Sequence, residues 1–239
     1  MNTQIWVQFQ AITYSQFLDL LFNSFSLAFV AALCCLLVAI FLAYSKRIFN
    51  SRLEQGAIGI ASLGYAVPGT VIAVGVLIPI AWLDNQIDFL SRIWFDYSTG
   101  LLLSGTLGIL VFAYLVRFLS IALNTVDSGL ISIKPNLDES ARSLGASPSK
   151  VLRRIHLPIL RTSLLTALLL VFVEVLKELP TTLILRPFNF NTLAVRTYEL
   201  ASDERLMDAA LPALAIVIIG LLPVLLITKS ILKERLTND

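Results

Sequence analysis

Charge is what this chain has least of: Asp, Glu, Lys and Arg supply 14% of its 239 residues, against roughly 25% in an ordinary soluble domain. There is one histidine, His156, and there are two cysteines. Cys34 and Cys35 are adjacent inside an apolar run, where they behave as small hydrophobes rather than a disulfide pair. No basic groove or tail offers nucleic acid a track. Gly100 to Gly105 has the spacing of a nucleotide-binding loop, but Thr106 stands where lysine is required. The N-terminus MNTQIWVQFQ lacks the basic region of a cleaved signal, so the first apolar run is expected to stay in the membrane. Together these absences exclude a soluble enzyme, a disordered chain, a disulfide-stapled secreted domain and a nucleic-acid binder.

What is present is hydrophobicity, 57% of residues with a mean hydropathy of +0.83. Crossing about 30 Å of hydrocarbon takes about 20 apolar residues. Five runs meet that length: 20–44, 57–83, 101–123, 163–185 and 209–228. All five are expected to be helices, because lipid cannot satisfy open backbone groups, and the alternation of a barrel is absent. The expectation is an all-α membrane protein, a single transmembrane domain over residues 1–239.

Lys and Arg favour the cytoplasmic side. Lys46, Arg47 and Arg52 follow the first run; Lys134, Arg142, Lys150, Arg153, Arg154 and Arg161 lie between the third and fourth; Lys229, Lys233 and Arg235 follow the fifth. On the opposite side, Arg92, Arg186, Arg196 and Arg205 are diluted by Asp84, Asp88, Asp96, Glu199, Asp203 and Glu204. An outside N-terminus and an inside C-terminus satisfy every loop. Gly64, Gly69, Gly75, Gly105 and Gly108 read as close helix contacts, and Pro68 and Pro79 as kinks.

The long cytoplasmic loop, about 127–161, is patterned. Asn136 followed by Glu139 reads as an N-terminal cap, and Leu137, Ala141 and Leu144 recur at helical spacing up to Gly145. Ser147-Pro148 restarts a helix with Val151, Leu152 and Ile155 on one stripe, and Leu157-Pro158 bends the chain into the fourth span. An amphipathic hairpin resting on lipid headgroups and a docking element for a cytoplasmic partner both fit this pattern.

Glu139-Ser140-Ala141, three residues, Gly145, nine residues, then Ile155-His156-Leu157-Pro158 resembles the EAA motif of binding-protein-dependent ABC transporter permeases, with Ser140 in place of the second alanine. That resemblance implies a bacterial inner-membrane permease of the type I importer architecture. It also implies that Asp138 through Pro158 seat in a groove of a dimer of ATP-binding subunits, which hydrolyse the ATP, while this chain binds no cofactor. Gly64-Tyr65-Ala66-Val67-Pro68-Gly69-Thr70 and the stretch from Lys177 to Glu204 resemble permeases of ferric iron importers, whose substrate arrives on a periplasmic binding protein. Many such permeases resemble two of these units fused. This chain therefore pairs with another copy or half-permease, or is the C-terminal half of a longer protein.

Ionisable groups inside a span face a partner or a cavity. Glu174, Lys177, Glu178 and Thr181 fall within about 100° of one another on a helix. Two readings stand: an internal Glu174–Lys177 ion pair, or a face lining the translocation path or its outer gate, with Pro180 supplying a bend. Arg117, near the inner end of the third span, reads as snorkelling to headgroups. His156 and the outer carboxylates have no metal-ligand spacing. An intramembrane hydrolase lacks a nucleophile with a base; a channel or secondary transporter leaves the loop unexplained; a transport subunit driven by a separate ATPase accounts for topology, loop and missing nucleotide motif together. The expected cargo is ferric iron, or another small substrate.

Overall fold

The structure, a computed structural model, describes residues 12–49 and 51–238. The N-terminal tail used in the orientation argument lies outside the described residues, as do the side chains of Lys229, Lys233 and Arg235. Among the described residues every regular element is helical: α1 (Tyr14–Phe49), α2 (Arg52–Leu63), α3 (Gly69–Phe95), α4 (Leu107–Ile131), α5 (Pro135–Ser143), α6 (Pro148–Val151), α7 (Leu157–Ile159), α8 (Arg161–Leu176), α9 (Pro180–Leu185), α10 (Leu193–Ser202) and α11 (Leu206–Asn238).

Among the described residues three helices, or four if one bent pair is counted as a span, are long and apolar enough to cross, against the five expected. Helices α1, α3 and α4 are each long and apolar enough to span a membrane. The fourth expected span, 163–185, begins just past a 76° bend between the hairpin and α8, and it breaks between Leu176 and Pro180. The fifth, 209–228, falls within α11. The second run does not cross unbroken from residue 57: α2 stops at Leu63, a 3₁₀ turn covers Gly64–Ala66, and α3 restarts at Gly69 and runs to Phe95. The third begins at Leu107 rather than 101. The reason is local, since Asp84, fully buried in α3, accepts from the amides of Leu103 (3.0 Å) and Ser104 (2.7 Å). Asp88 accepts from the Gly100 amide at 3.1 Å. Two acids counted in sequence as outer-loop charge thus tie the α3–α4 connection.

Helix α1 forms the centre. Ala28, Ala31, Ala32, Cys35, Ala39 and Ala43 make a face of small, buried residues against which α4 and α8 pack. Lipid is as apolar as any core, so such helices associate through close van der Waals contact, which small residues permit. Tyr114, Phe118, Leu110, Leu123 and Val171 fill the space beside that face. Phe22, Phe41, Ile78, Trp82 and Trp94 point outward. Of the glycines read as packing contacts, Gly64 and Gly69 are, whereas nothing lies beside Gly75 or Gly105, and Gly105 instead takes a φ of +76°.

Candidate functional site

Two constellations deserve description, the hairpin between α4 and α8 and the charges at the break beyond α8.

The hairpin's first arm, α5, begins at Pro135, so the cap position falls on Lys134, without a side-chain capping bond, rather than on the expected Asn136. Its end is as expected. Gly145 takes a φ of +76°, the Gly145 amide donates to Arg142 O (2.9 Å) and the Ala146 amide to Ala141 O (3.0 Å). This pair of bonds closes a helix through a left-handed residue, a conformation only glycine takes without strain. The second arm is α6, a π-helical turn over Leu152–His156 and α7. Pro158 offers no N–H to the preceding turn, which is where the widened turn sits. The bend into α8 falls at Leu160, just after the proline.

Leu144, at the tip, is 88% exposed, with Leu137, Glu139, Ser140, Arg142 and Pro158 also exposed. Ala141 and Val151 are buried, and Ile155 and Leu157 half-buried, where the arms meet the body. Asp138, the first residue of the segment expected to dock, is half-buried. Its carboxylate turns inward, to Arg47 Nε of α1 (2.8 Å) and to His156 Nε2 (2.6 Å). His156 itself is 1% exposed. Burial acts to raise the Asp138 pKa, but the hydrogen bonds from Arg47 and His156 outweigh it and hold the carboxyl below its ordinary range. Sequence reading passed over Arg47 and His156 as partners; their signal was a basic residue at the end of α1 and a lone histidine inside the motif.

At the break, the four residues of the expected polar face divide in two. Glu174 and Lys177 form an ion pair (2.8 Å) on the open side, Lys177 being 55% exposed, with the Tyr65 hydroxyl donating to Glu174 at 3.4 Å. Glu178 and Thr181 turn the other way and are buried. Glu178 Oε1 accepts from the Thr181 amide (3.1 Å) and hydroxyl (2.7 Å). Its Oε2 lies 3.4 Å from Arg117 Nε, and Arg117 Nη1 donates to Val67 O (3.1 Å). Arg117 therefore does not snorkel; it neutralises Glu178 inside the bundle. Pro180 removes the amide that would have bonded Leu176 O, so the helix stops there. The Thr182 hydroxyl satisfies Glu178 O (2.6 Å), and buried Tyr114 holds Thr182 at 2.5 Å. A Cβ at Gly69 would stand 2.6 Å from Glu178 Oε1 and 2.7 Å from Arg117 Nη1, so the backbone at the Pro68–Gly69 turn is the floor of this charge pair. Among the described residues no three His, Cys, Asp or Glu side chains gather as a metal site.

Comparison with known proteins supplies the context. Residues 35–233 match the family described as the binding-protein-dependent transport system inner membrane component. The Fe(3+)-transport system permease protein FbpB 2 of Haemophilus influenzae is 28% identical over 216 residues, 90% of this chain. The chain spans only 40% of the length of that relative. A putative 2-aminoethylphosphonate transport system permease protein, PhnV, of Salmonella typhimurium is 27% identical over 91% of this chain and 76% of its own length. The fold is similar to that of a bacterial ABC transporter involved in alginate import (TM-score 0.72, 16% identity, 96% of this chain and 83% of that one). It is also similar to the methionine ABC transporter MetNI (TM-score 0.61, 15% identity, 96% and 99%).

Proposed function

Because the chain belongs to the binding-protein-dependent transport system inner membrane components, and is thus a multi-pass inner-membrane protein, we propose that it is the membrane-spanning permease unit of an ATP-binding-cassette importer for ferric iron. The observation that carries this reading is the hairpin: two short arms turned by Gly145, presenting an exposed Leu144 while Asp138, His156 and Arg47 hold it to the body. A hairpin lying on lipid would need its apolar face down and no such anchoring. The elbow would seat in a groove of a dimer of ATP-binding subunits, which carry and hydrolyse the ATP. A second permease half, this chain again or another, would complete the path, and a periplasmic binding protein would deliver the cargo. Closure of the ATPases would push the hairpins and open the path outward, in alternating access. The N-terminus would be periplasmic and the C-terminus cytoplasmic.

Within the path the roles divide. Glu174 and Lys177, on the open side, are the groups that would meet a passing cargo, and Glu174 supplies hard oxygen for a ferric ion. Glu178 and Thr181 are engaged with Arg117 and Gly69 and would shape the gate from behind. A second reading, import of an organophosphonate, is favoured by the similarity to PhnV over three quarters of that relative's length; Lys177 would then be the contact.

The test is co-expression with the candidate ATPase subunit, followed by co-purification and vesicle uptake of iron(III) and, separately, 2-aminoethylphosphonate. Association of the two chains with ATP-dependent iron uptake is expected. The Gly145→Val chain should insert normally yet lose association and uptake, because a β-branched residue at positive φ is strained by about 1–3 kcal/mol. Normal uptake by that variant returns the hairpin to the lipid surface.

A further inference from the structure

The hairpin has two covalent exits and a set of side-chain ties, and they lead to different helices. Upstream it joins α4 through Ser132–Lys134; downstream it enters α8 through the 76° bend at Leu160. Pro158 and that bend interrupt the helix, so the second arm and α8 do not form one continuous rod. The side-chain ties run elsewhere, and they converge on the last turn of α1.

Arg47 Nε donates to Asp138 Oδ2 on the first arm at 2.8 Å. Its two terminal nitrogens donate to Leu130 O, in the last turn of α4, and, at 3.0 Å, to Ile133 O in the connection that follows. Tyr44, three residues earlier and so on the same face of α1, donates its hydroxyl to Pro148 O on the second arm at 2.6 Å. The Tyr44 ring also meets the edge of His156 with centroids 5.4 Å apart. His156 closes the circuit by bonding Asp138 at 2.6 Å. Lys46 pairs with Asp127 of α4 at 2.7 Å. Both arms are thus fastened to α1, the first by Arg47 and the second by Tyr44, and to one another through Asp138 and His156.

Resting on the importer reading above, we propose that Arg47 is a positioning residue that carries movement of the hairpin into α1, with Tyr44 as its second point of attachment. A guanidinium suits this task, because its planar fork serves a carboxylate and two carbonyls at once, where a lysine presents a single ammonium. Charge-assisted bonds shielded from water are stiff as well as strong, and Arg47 and Asp138 each keep only 17% of their side-chain exposure. Helix α1 then presses its small-residue face on both α4 and α8, so a shift of α1 reaches the two helices that carry Arg117 and Glu174. The stroke enters by the helix packed against both α4 and α8, and not by the one to which the hairpin is covalently continuous.

The experiment measures uptake per ATP hydrolysed by the reconstituted complex of this chain, its ATPase and its binding protein. Arg47→Gln should retain the ATPase on co-purification and retain ATP turnover, while uptake per ATP falls about three- to tenfold, the range expected for one link in a coupling path. Arg47→Lys should recover part of the loss, and Tyr44→Phe should show a smaller fall with an intact fold. Unchanged uptake per ATP in Arg47→Gln and Tyr44→Phe overturns the proposal. So does an equal loss of ATPase association and uptake, which would make Arg47 a docking residue. If Arg47→Gln does not accumulate in the membrane, Tyr44→Phe decides by the same criterion. Failure of the unaltered chain to bind any ATPase sinks the importer reading instead.

Discussion

Arg117 and Glu178 neutralise one another at the point where the α8–α9 helix is broken, with Nε and Oε2 3.4 Å apart and side-chain exposures of 17% and 8%. The pair joins three parts of the chain, because Arg117 also bonds Val67 O and Glu178 also bonds Thr181. The separation marks an ion pair rather than an aligned hydrogen bond, and the second oxygen of Glu178 is the better satisfied one. A break in a spanning helix exposes backbone groups that lipid cannot satisfy. Here the Thr182 hydroxyl and the Glu178 carboxylate supply those partners from within the break itself.

Removing one member of this pair should be far worse than removing both. Glu178→Gln leaves Arg117 without its counter-charge in a dry site, at a cost of about 3–5 kcal/mol, whereas Arg117→Met with Glu178→Met should lie close to the parent. Thermal unfolding of the detergent-purified single and double variants reads this directly. Single variants as stable as the parent would show that water reaches the cluster.

Glu174 and Lys177 should behave in the opposite manner. Their pair is open to the surroundings, and exposed ion pairs contribute about 0–1 kcal/mol. Glu174→Gln with Lys177→Met should therefore leave stability unchanged and lower uptake per assembled complex. Full uptake in the double variant removes this face from the cargo path.

The two glycines at the α2–α3 junction should tolerate no side chain. A Cβ at Gly64 would fall 1.9 Å from Val116 O, and one at Gly69 within 2.8 Å of Glu178, Arg117 and Thr181. Gly64→Ala and Gly69→Ala should each lower the unfolding temperature by several degrees, on a scale of about 2–4 °C per kcal/mol for a chain of this size. Gly75→Ala, in open space, should be neutral or slightly stabilising through helix propensity. Equal behaviour of all three variants would contradict the close approach of α4.

Asp138 predicts an acid limit for the hairpin. Its carboxyl is held below the ordinary range in the folded chain despite its burial, through Arg47 and His156. A depressed folded-state pKa contributes stability that is fully present above the unfolded value of about 3.9 and is lost as pH falls through the folded one. Cleavage beside the exposed Leu144 by an acid-active protease should therefore accelerate as pH drops below about 4. The Asp138→Asn variant should be susceptible already at neutral pH and show no further acid step. An acid step of equal size in Asp138→Asn would assign the transition to another group.

Much of the architecture was legible because lipid leaves so few options. Apolar runs of span length had to be helices, and Gly145 had to end the first arm because no other residue takes its backbone geometry freely. The Glu174–Lys177 pair was legible too, since both members sit on one helix at a fixed offset. Helix bounds were not. Hydropathy alone starts the third run at 101, but Asp84 reaches across to claim the amides of Leu103 and Ser104, and a residue spent in that loop cannot also begin a helix.

Sequence by itself determined that this chain lives in a membrane, that its elements are helices, and that a glycine-turned hairpin stands between two of them, because each follows from composition or from spacing within one segment. Only the tertiary structure decided which charges meet. Helical spacing placed Glu178 with Glu174 on one face, but the helix ends between them and Glu178 turns to Arg117; spacing placed Arg47 and His156 among loop charges, but packing brings both to Asp138. Counter-charges in a low-dielectric interior are selected by proximity in space, and proximity between segments far apart in the chain is set by how α1, α4 and α8 pack, which periodicity along one helix does not encode.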